Sequence, residues 1–166
     1  MSRREFHAMN RIVHITPHFA VTGALQPGDF AQAAALGFKS IVSNLPDGES
    51  QAHPTSQQEA QLAADASLGF RHIPVTKAEV FSERVVGGTA QALSELEGPV
   101  LAHCASGLRS AIAWAAAAAR GQSVDAVLGK LAAAGFNLEP IRQDLEEQHD
   151  PEHISPIPPA LDVEGA

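Results

Sequence analysis

Short apolar runs separated by turn residues give way, in the second half of the chain, to longer stretches with helical spacing. From Arg11, "RIVHITPHFAVTG" carries β-branched residues in two runs broken by Pro17, which predicts two short strands joined by a turn near a sheet edge. "QPGDFAQAAALGF" predicts a helix of about two turns ending at Gly37, followed by the strand "KSIVSN" and a turn at "PDG". "TSQQEAQLAADASLGF" begins with a capping-box pair, Ser56 and Glu59, and closes at Gly69 before a strand "RHIPV". A third helix is predicted over Ser82 to Leu96, weakened by Gly87 and Gly88, and leads into the apolar strand "GPVLAHC". Three helices follow: an alanine-rich one to Arg120, one from Val124 to Ala134, and one from Glu139 to Glu147. Strands alternating with helices, then helices alone, imply an α/β sheet with a helical C-terminal part. The helix "SAIAWAAAAAR" is apolar nearly all round and is expected in the interior. Residues 150–166 hold four prolines and are expected to be extended, disordered or laid along the surface.

Composition narrows the possible roles. A chain of 166 residues with 45% apolar content suffices for one domain with a real core. Its 11 Lys and Arg against 19 Asp and Glu give a net charge of −8, which argues against nucleic-acid binding. An anionic substrate would therefore need a local positive pocket. One cysteine excludes an intrachain disulfide, and the basic start "MSRREFHAMN" lacks a following apolar stretch, so the expected setting is the reducing cytoplasm, with no membrane contact. The eight histidines show no close helical pair, so neither a metal nor another cofactor is expected, and no obligate protein partner is evident.

The lone thiol sits in "VLAHCASGLRSAIAW", at the end of an apolar strand and five positions before an arginine that opens a helix. Backbone N–H groups from Ala105, Ser106, Gly107 and Leu108 to Arg109 can converge on one centre, and the helix N-terminus adds positive potential there. Such a loop is an anion cradle, and positions of this kind lower a cysteine pKa from about 8.5 to roughly 3.5–7.5. Cys104 is thus the expected nucleophile, Gly107 supplies a backbone conformation that side chains resist, and Arg109 offers a planar fork to two oxygens. Ser110 is expected to donate a hydrogen bond to the sulfur, and His103 to orient the loop. Trp114, in the following helix, is expected in the core.

"HCASGLRS" resembles the signature of protein tyrosine and dual-specificity phosphatases, but with one residue fewer between Cys and Arg. The count here, four, is that of many rhodanese-type sulfurtransferase loops. With "VTGALQPGDFAQAAALGFKSIVSNLPDGE", "LGFRHIPV" and "AAAGFNLEPI", the chain resembles the beta-lactamase hydrolase-like, phosphatase-like family over about residues 10–146. Members are variously labelled phosphatase-like and sulfur transferase. The resemblance implies a dual-specificity-phosphatase-like fold, a parallel sheet flanked by helices, with Cys104 and Arg109 in the catalytic loop. It divides the chain into a flexible N-terminus (1–9), the catalytic domain (10–149) and a Pro-rich tail (150–166). Two departures, Ala105 and Leu45 where members often carry Arg, reduce the positive charge expected around the pocket.

Counting acids separates the two chemistries. Hydrolysis of a phosphate monoester needs a proton for the departing alkoxide, generally from an Asp some tens of residues before the Cys. Between Asp65 and Asp125 there is none. Glu79, with Glu83 behind it, is the best substitute, and Asp47 and Glu49 of the "PDGE" turn could also face the pocket. Sulfur transfer asks less, since sulfite and thiolates leave without full protonation. The sequence therefore favours a sulfurtransferase that takes sulfane sulfur from a small anionic donor onto Cys104 and passes it to a low-molecular-weight thiol. A phosphatase acting through a phosphocysteine, a non-catalytic anion-binding module and a redox sensor remain alternatives.

Overall fold

The computed structural model describes residues 9–150 and 157–164. The flexible N-terminus expected over residues 1–9 therefore lies, Met9 apart, outside the described residues. Five strands form one sheet: β1 (Val13–Thr16), β2 (Phe19–Thr22), β3 (Ser40–Ser43), β4 (Gly69–His72) and β5 (Val100–His103), in the order β1-β2-β5-β3-β4. The β2, β5, β3 and β4 pairings are parallel, while β1 hairpins back antiparallel onto β2 and forms one edge. That hairpin is the pair of short edge strands joined by a turn that Pro17 predicts, set on an otherwise parallel sheet. A turn of two residues, Pro17 and His18, is too short for a parallel crossover.

β5 has a parallel neighbour on each side, with Thr22 and Ser43 both level with His103. Cys104 thus leaves the sheet at the carboxyl end of an inner strand, where ligand crevices form in open α/β sheets. The inner strands are apolar on both faces, as a sheet covered on both sides requires. Ala20, Ile41 and Leu101 point into a cluster with Leu25 and Phe30, under α1 (Pro27–Ala35) and α2 (Ser56–Asp65). Phe19, Val21, Val42, Val100 and Ala102 join the larger cluster on the other face, covered by α3 (Glu83–Glu95), α4 (Leu108–Ala119), α5 (Val124–Ala133) and α6 (Arg142–Gln148). A 3-10 turn, Glu139–Ile141, leads into α6.

Helix α2 starts one residue earlier than the Ser56–Glu59 pair predicts. Thr55 is the cap, accepting from the Gln58 N–H, and the Gln58 side chain accepts from the Thr55 N–H in return. Both spacings satisfy the local rule. Glu59 is instead drawn inward, as described below.

Helix α4 is the interior helix that its composition predicts. Ala115 to Ala119 are all buried, and Trp114 is 0% exposed and stacks on Phe19. Residues 157–164 pack onto it. Ala160, Leu161 and Val163 are buried, and the Ala160 carbonyl accepts from Trp114 Nε1 at 2.7 Å. Gln122 donates to the Leu161 carbonyl at 2.5 Å and accepts from the Val163 N–H at 2.7 Å. Replacing Gln122 by Ala orphans both backbone groups, a loss of about 1–3 kcal/mol. In a domain of this size the melting temperature is expected to fall by about 3–8 °C. Thermal denaturation followed by circular dichroism checks it, and an unchanged midpoint would show that the segment adds nothing to stability.

Candidate active site

The loop 104–107 closes on itself around the sulfur. Cys104 is 0% exposed and its Sγ accepts from the Gly107 N–H at 3.1 Å. Gly107 has φ of +94°, the left-handed region where side chains are strained, and a Cβ there would also sit 3.4 Å from the Thr22 carbonyl. Gly107 caps α4, so the first turn of that helix opens beside the thiol. Among the described residues the N–H groups of Ala105 and Ser106 carry no hydrogen bond, which leaves them available to an anion.

Arg109 is held from two sides. Its Nη1 donates to the Val75 carbonyl at 2.7 Å and to Glu49 Oε1 at 2.9 Å, and its Nη2 donates to Glu49 Oε2 at 2.6 Å. Both Nη1 protons and one Nη2 proton are thereby used. The second Nη2 proton and the Nε proton remain for a bidentate oxyanion contact. Glu49 holds the guanidinium above its ordinary value against the cost of partial burial, and the Cys104 sulfur adds to the effect. In return, Arg109 holds the Glu49 carboxyl below its ordinary value of 4.5. Of the two acids expected to face the pocket from the "PDGE" turn, Glu49 does so, as a clamp on Arg109.

The other candidate acids are engaged elsewhere. Asp47 accepts from the Ser56 hydroxyl and N–H, each at 2.6 Å, and these bonds lower its pKa, the opposite of what a proton donor at neutral pH needs. Glu79 accepts from Thr76 Oγ1 and is ion-paired to Arg84, and Glu83 is ion-paired to Arg120. Nor does Ser110 bond the sulfur. Its hydroxyl donates to Asn44 Oδ1 at 2.7 Å, and Asn44 Nδ2 donates to the Ile73 carbonyl at 2.8 Å. Ser110 and Asn44 thus tie the start of α4 to the segments after β3 and β4.

His103 also differs from expectation. Its ring reaches helix α2 on one face of the sheet, where Nε2 meets Glu59 Oε1 at 2.5 Å, while Ser43 Oγ donates to Glu59 Oε2 at 2.9 Å. Both residues are buried, and His103 Nδ1 has no partner among the described residues. Sequence reasoning missed Asn44 and Glu59. The only local signal for Glu59 is its place in a cap-like spacing, which Thr55 and Gln58 satisfy instead. Among the described residues no three His, Cys, Asp or Glu side chains converge to hold a metal ion, and no helix is long and apolar enough to cross a membrane.

Ser106, Leu108 and Arg109 line a cavity of about 400 Å³ with Glu49, Thr76, Lys77, Val80 and Ile112. A buried thiol, a half-engaged arginine and free loop amides beside an open cavity form a site that can hold an oxyanion against a nucleophile.

Comparison with known proteins agrees with this geometry. The profile of the family described as beta-lactamase hydrolase-like protein, phosphatase-like domain, matches residues 11–121. The chain belongs to this phosphatase-like domain family. A beta-lactamase hydrolase-like protein of Agrobacterium fabrum is 35% identical over 100 residues, which are 60% of this chain and 23% of that protein. The chain thus spans about a quarter of the length of the curated relatives it matches. A candidate phosphatase of Neisseria meningitidis, solved as a crystal structure, is 34% identical and superimposes with a TM-score of 0.70 over 83% of this chain and 98% of its own. The catalytic core of the S. cerevisiae PP-IP phosphatase SIW14 is 13% identical with a TM-score of 0.59, over 89% of this chain and 90% of its own, a likeness of fold. The phosphatase-like domain family therefore supplies the fold expected of the Cys-loop motif, a sheet flanked by helices with the dual-specificity phosphatase architecture.

Proposed function

We propose that this domain is a thiolate enzyme that transfers sulfane sulfur. Cys104 attacks the outer sulfur of a donor such as thiosulfate, a new S–S bond forms, and the bond to the sulfonate breaks with its electron pair leaving on sulfite. An incoming small thiolate then attacks the terminal sulfur of the Cys104 persulfide, carries it off as its own persulfide and returns the Cys104 thiolate. The free Nε and Nη2 protons of Arg109 and the amides of Ala105 and Ser106 hold the sulfonate oxygens. The observation that carries this reading is the fate of the carboxylates: Glu49 is spent on Arg109, Asp47 on Ser56 and Glu79 on Arg84. A leaving group at this site departs without a proton, which suits sulfite and not an alkoxide.

The 34% identity with a candidate phosphatase favours a second reading, hydrolysis of phosphate esters through a Cys104 phosphocysteine. The same carboxylate placement would confine that activity to esters with good leaving groups. Intact-protein mass spectrometry decides between the two. After brief exposure to thiosulfate and removal of the donor, the protein is expected to gain one sulfur atom, which disappears on adding glutathione. No gain with any sulfane donor, together with a phosphate adduct on Cys104 after quenching with an aryl phosphate, would replace the first reading by the second. Neither adduct would leave an anion-binding module.

A further inference from the structure

The cavity beside the loop is larger than its oxyanion needs. At about 400 Å³ it falls in the range of pockets that take whole organic ligands, about 300–1,000 Å³, of which a bare thiosulfate fills a fraction. Part of its lining is apolar, from Val80, Leu108 and Ile112, and Leu108, the first residue of α4, is 44% exposed. An exposed leucine that lines the same cavity as two further aliphatic side chains makes a surface for a carbon skeleton. Lys77 also lines the cavity, and among the described residues no carboxylate pairs with it, so its ammonium is available to a ligand. Of the two cations lining the cavity, Arg109 is already neutralised in part by Glu49, so the site suits one further single negative charge and not a polyphosphate.

We infer that Lys77 is a specificity-determining residue that binds the carboxylate of an organic thiol or persulfide whose carbon skeleton lies along Val80, Leu108 and Ile112. This assignment rests on the sulfur-transfer reading for its biological meaning, but Lys77 can be tested without it. Aryl disulfides react with Cys104 by simple exchange: the thiolate attacks one sulfur, a mixed disulfide forms and the aryl thiolate leaves, with no sulfane sulfur involved. Because the chain has a single cysteine, the released thiolate reports Cys104 alone.

The experiment compares the intact protein with Lys77→Ala and Lys77→Glu, using the dicarboxylate 5,5′-dithiobis(2-nitrobenzoate) and the uncharged 2,2′-dithiodipyridine. Lys77→Ala is expected to slow exchange with the dicarboxylate by about 5–10-fold at low salt and by less at high salt. Lys77→Glu is expected to slow it further, while both variants leave the uncharged reagent within about twofold. In turnover with thiosulfate, Lys77→Ala is expected to raise KM for 3-mercaptopropionate and leave kcat, and the KM for 2-mercaptoethanol, unchanged. Equal effects on both disulfides, no effect on either, or no reaction of Cys104 with either overturns the assignment. Loss of selectivity in the variants without any persulfide in the mass measurement supports the Lys77 assignment and rejects sulfur transfer. A persulfide with no Lys77-dependent selectivity does the reverse.

Discussion

Replacing Cys104 by serine is expected to abolish turnover, by at least about 10³-fold, while leaving the circular dichroism spectrum and melting temperature close to those of the parent protein. A hydroxyl stays protonated near neutral pH, whereas the thiolate is the attacking species in this chemistry. The sulfur is completely buried and accepts from the Gly107 N–H, a bond that a serine oxygen can also accept. The fold therefore has little reason to change, and the effect is confined to the nucleophile. Mass spectrometry of the variant after exposure to thiosulfate is expected to show no added sulfur. Turnover within tenfold of the parent rate would mean that Cys104 is a buried core residue and that the chemistry lies elsewhere.

Arg109→Lys is expected to cost about 10²–10³-fold in kcat/KM, the scale of losing a dedicated oxyanion contact. An ammonium keeps the charge but cannot grip Glu49 on one edge and an oxyanion on the other at once. Rates measured at saturating and limiting donor would show whether the loss falls on kcat, as it should for a contact tightened in the transition state. A near-normal rate would make Arg109 structural. The clamp also predicts a pH response. Because the folded Glu49 carboxyl lies below 4.5, its hold on Arg109 is complete above that value and is lost as the pH falls below it. Glu49→Gln is therefore expected to lower activity at neutral pH and to remove whatever part of the acid-side decline below 4.5 belongs to the clamp.

Local patterns were sufficient for the elements, and failed where distant residues compete for them. "RHIPV" predicts a strand two residues late, because β4 takes its register from Gly69 opposite Ser40, and the chain leaves the sheet once His72 has paired with Ser43. Ile73 and Val75 still donate to Ser43 and Asn44 as it departs, which is why their apolar character reads as strand. The Cys–Arg loop was legible because its chemistry is contained in consecutive residues. The partners of its flanking residues were not: Glu59 lies 44 positions from His103, Glu49 lies 60 from Arg109, and Asn44 lies 66 from Ser110. No helical or strand period links such pairs: Glu59 reads from the sequence as a capping residue, and Glu49 as an acid near the pocket with no sign of its bond to Arg109.

The alanines of α4 set a limit on how this site can vary. Residues 115–119 present only methyl groups to their surroundings, and α3, α5 and α6 all pack against the helix they belong to. Close-packed interiors transmit displacement instead of absorbing it. A methylene added at Ala117 would push on a rod whose other end is Leu108, Arg109 and Ser110, and the guanidinium would move with it. Mutational drift at positions that never meet a substrate would thus be felt as misalignment at the sulfur. Substitutions at Thr76, Lys77 or Val80 on the cavity wall are therefore expected to disturb the sulfur less than a bulkier residue in the alanine run.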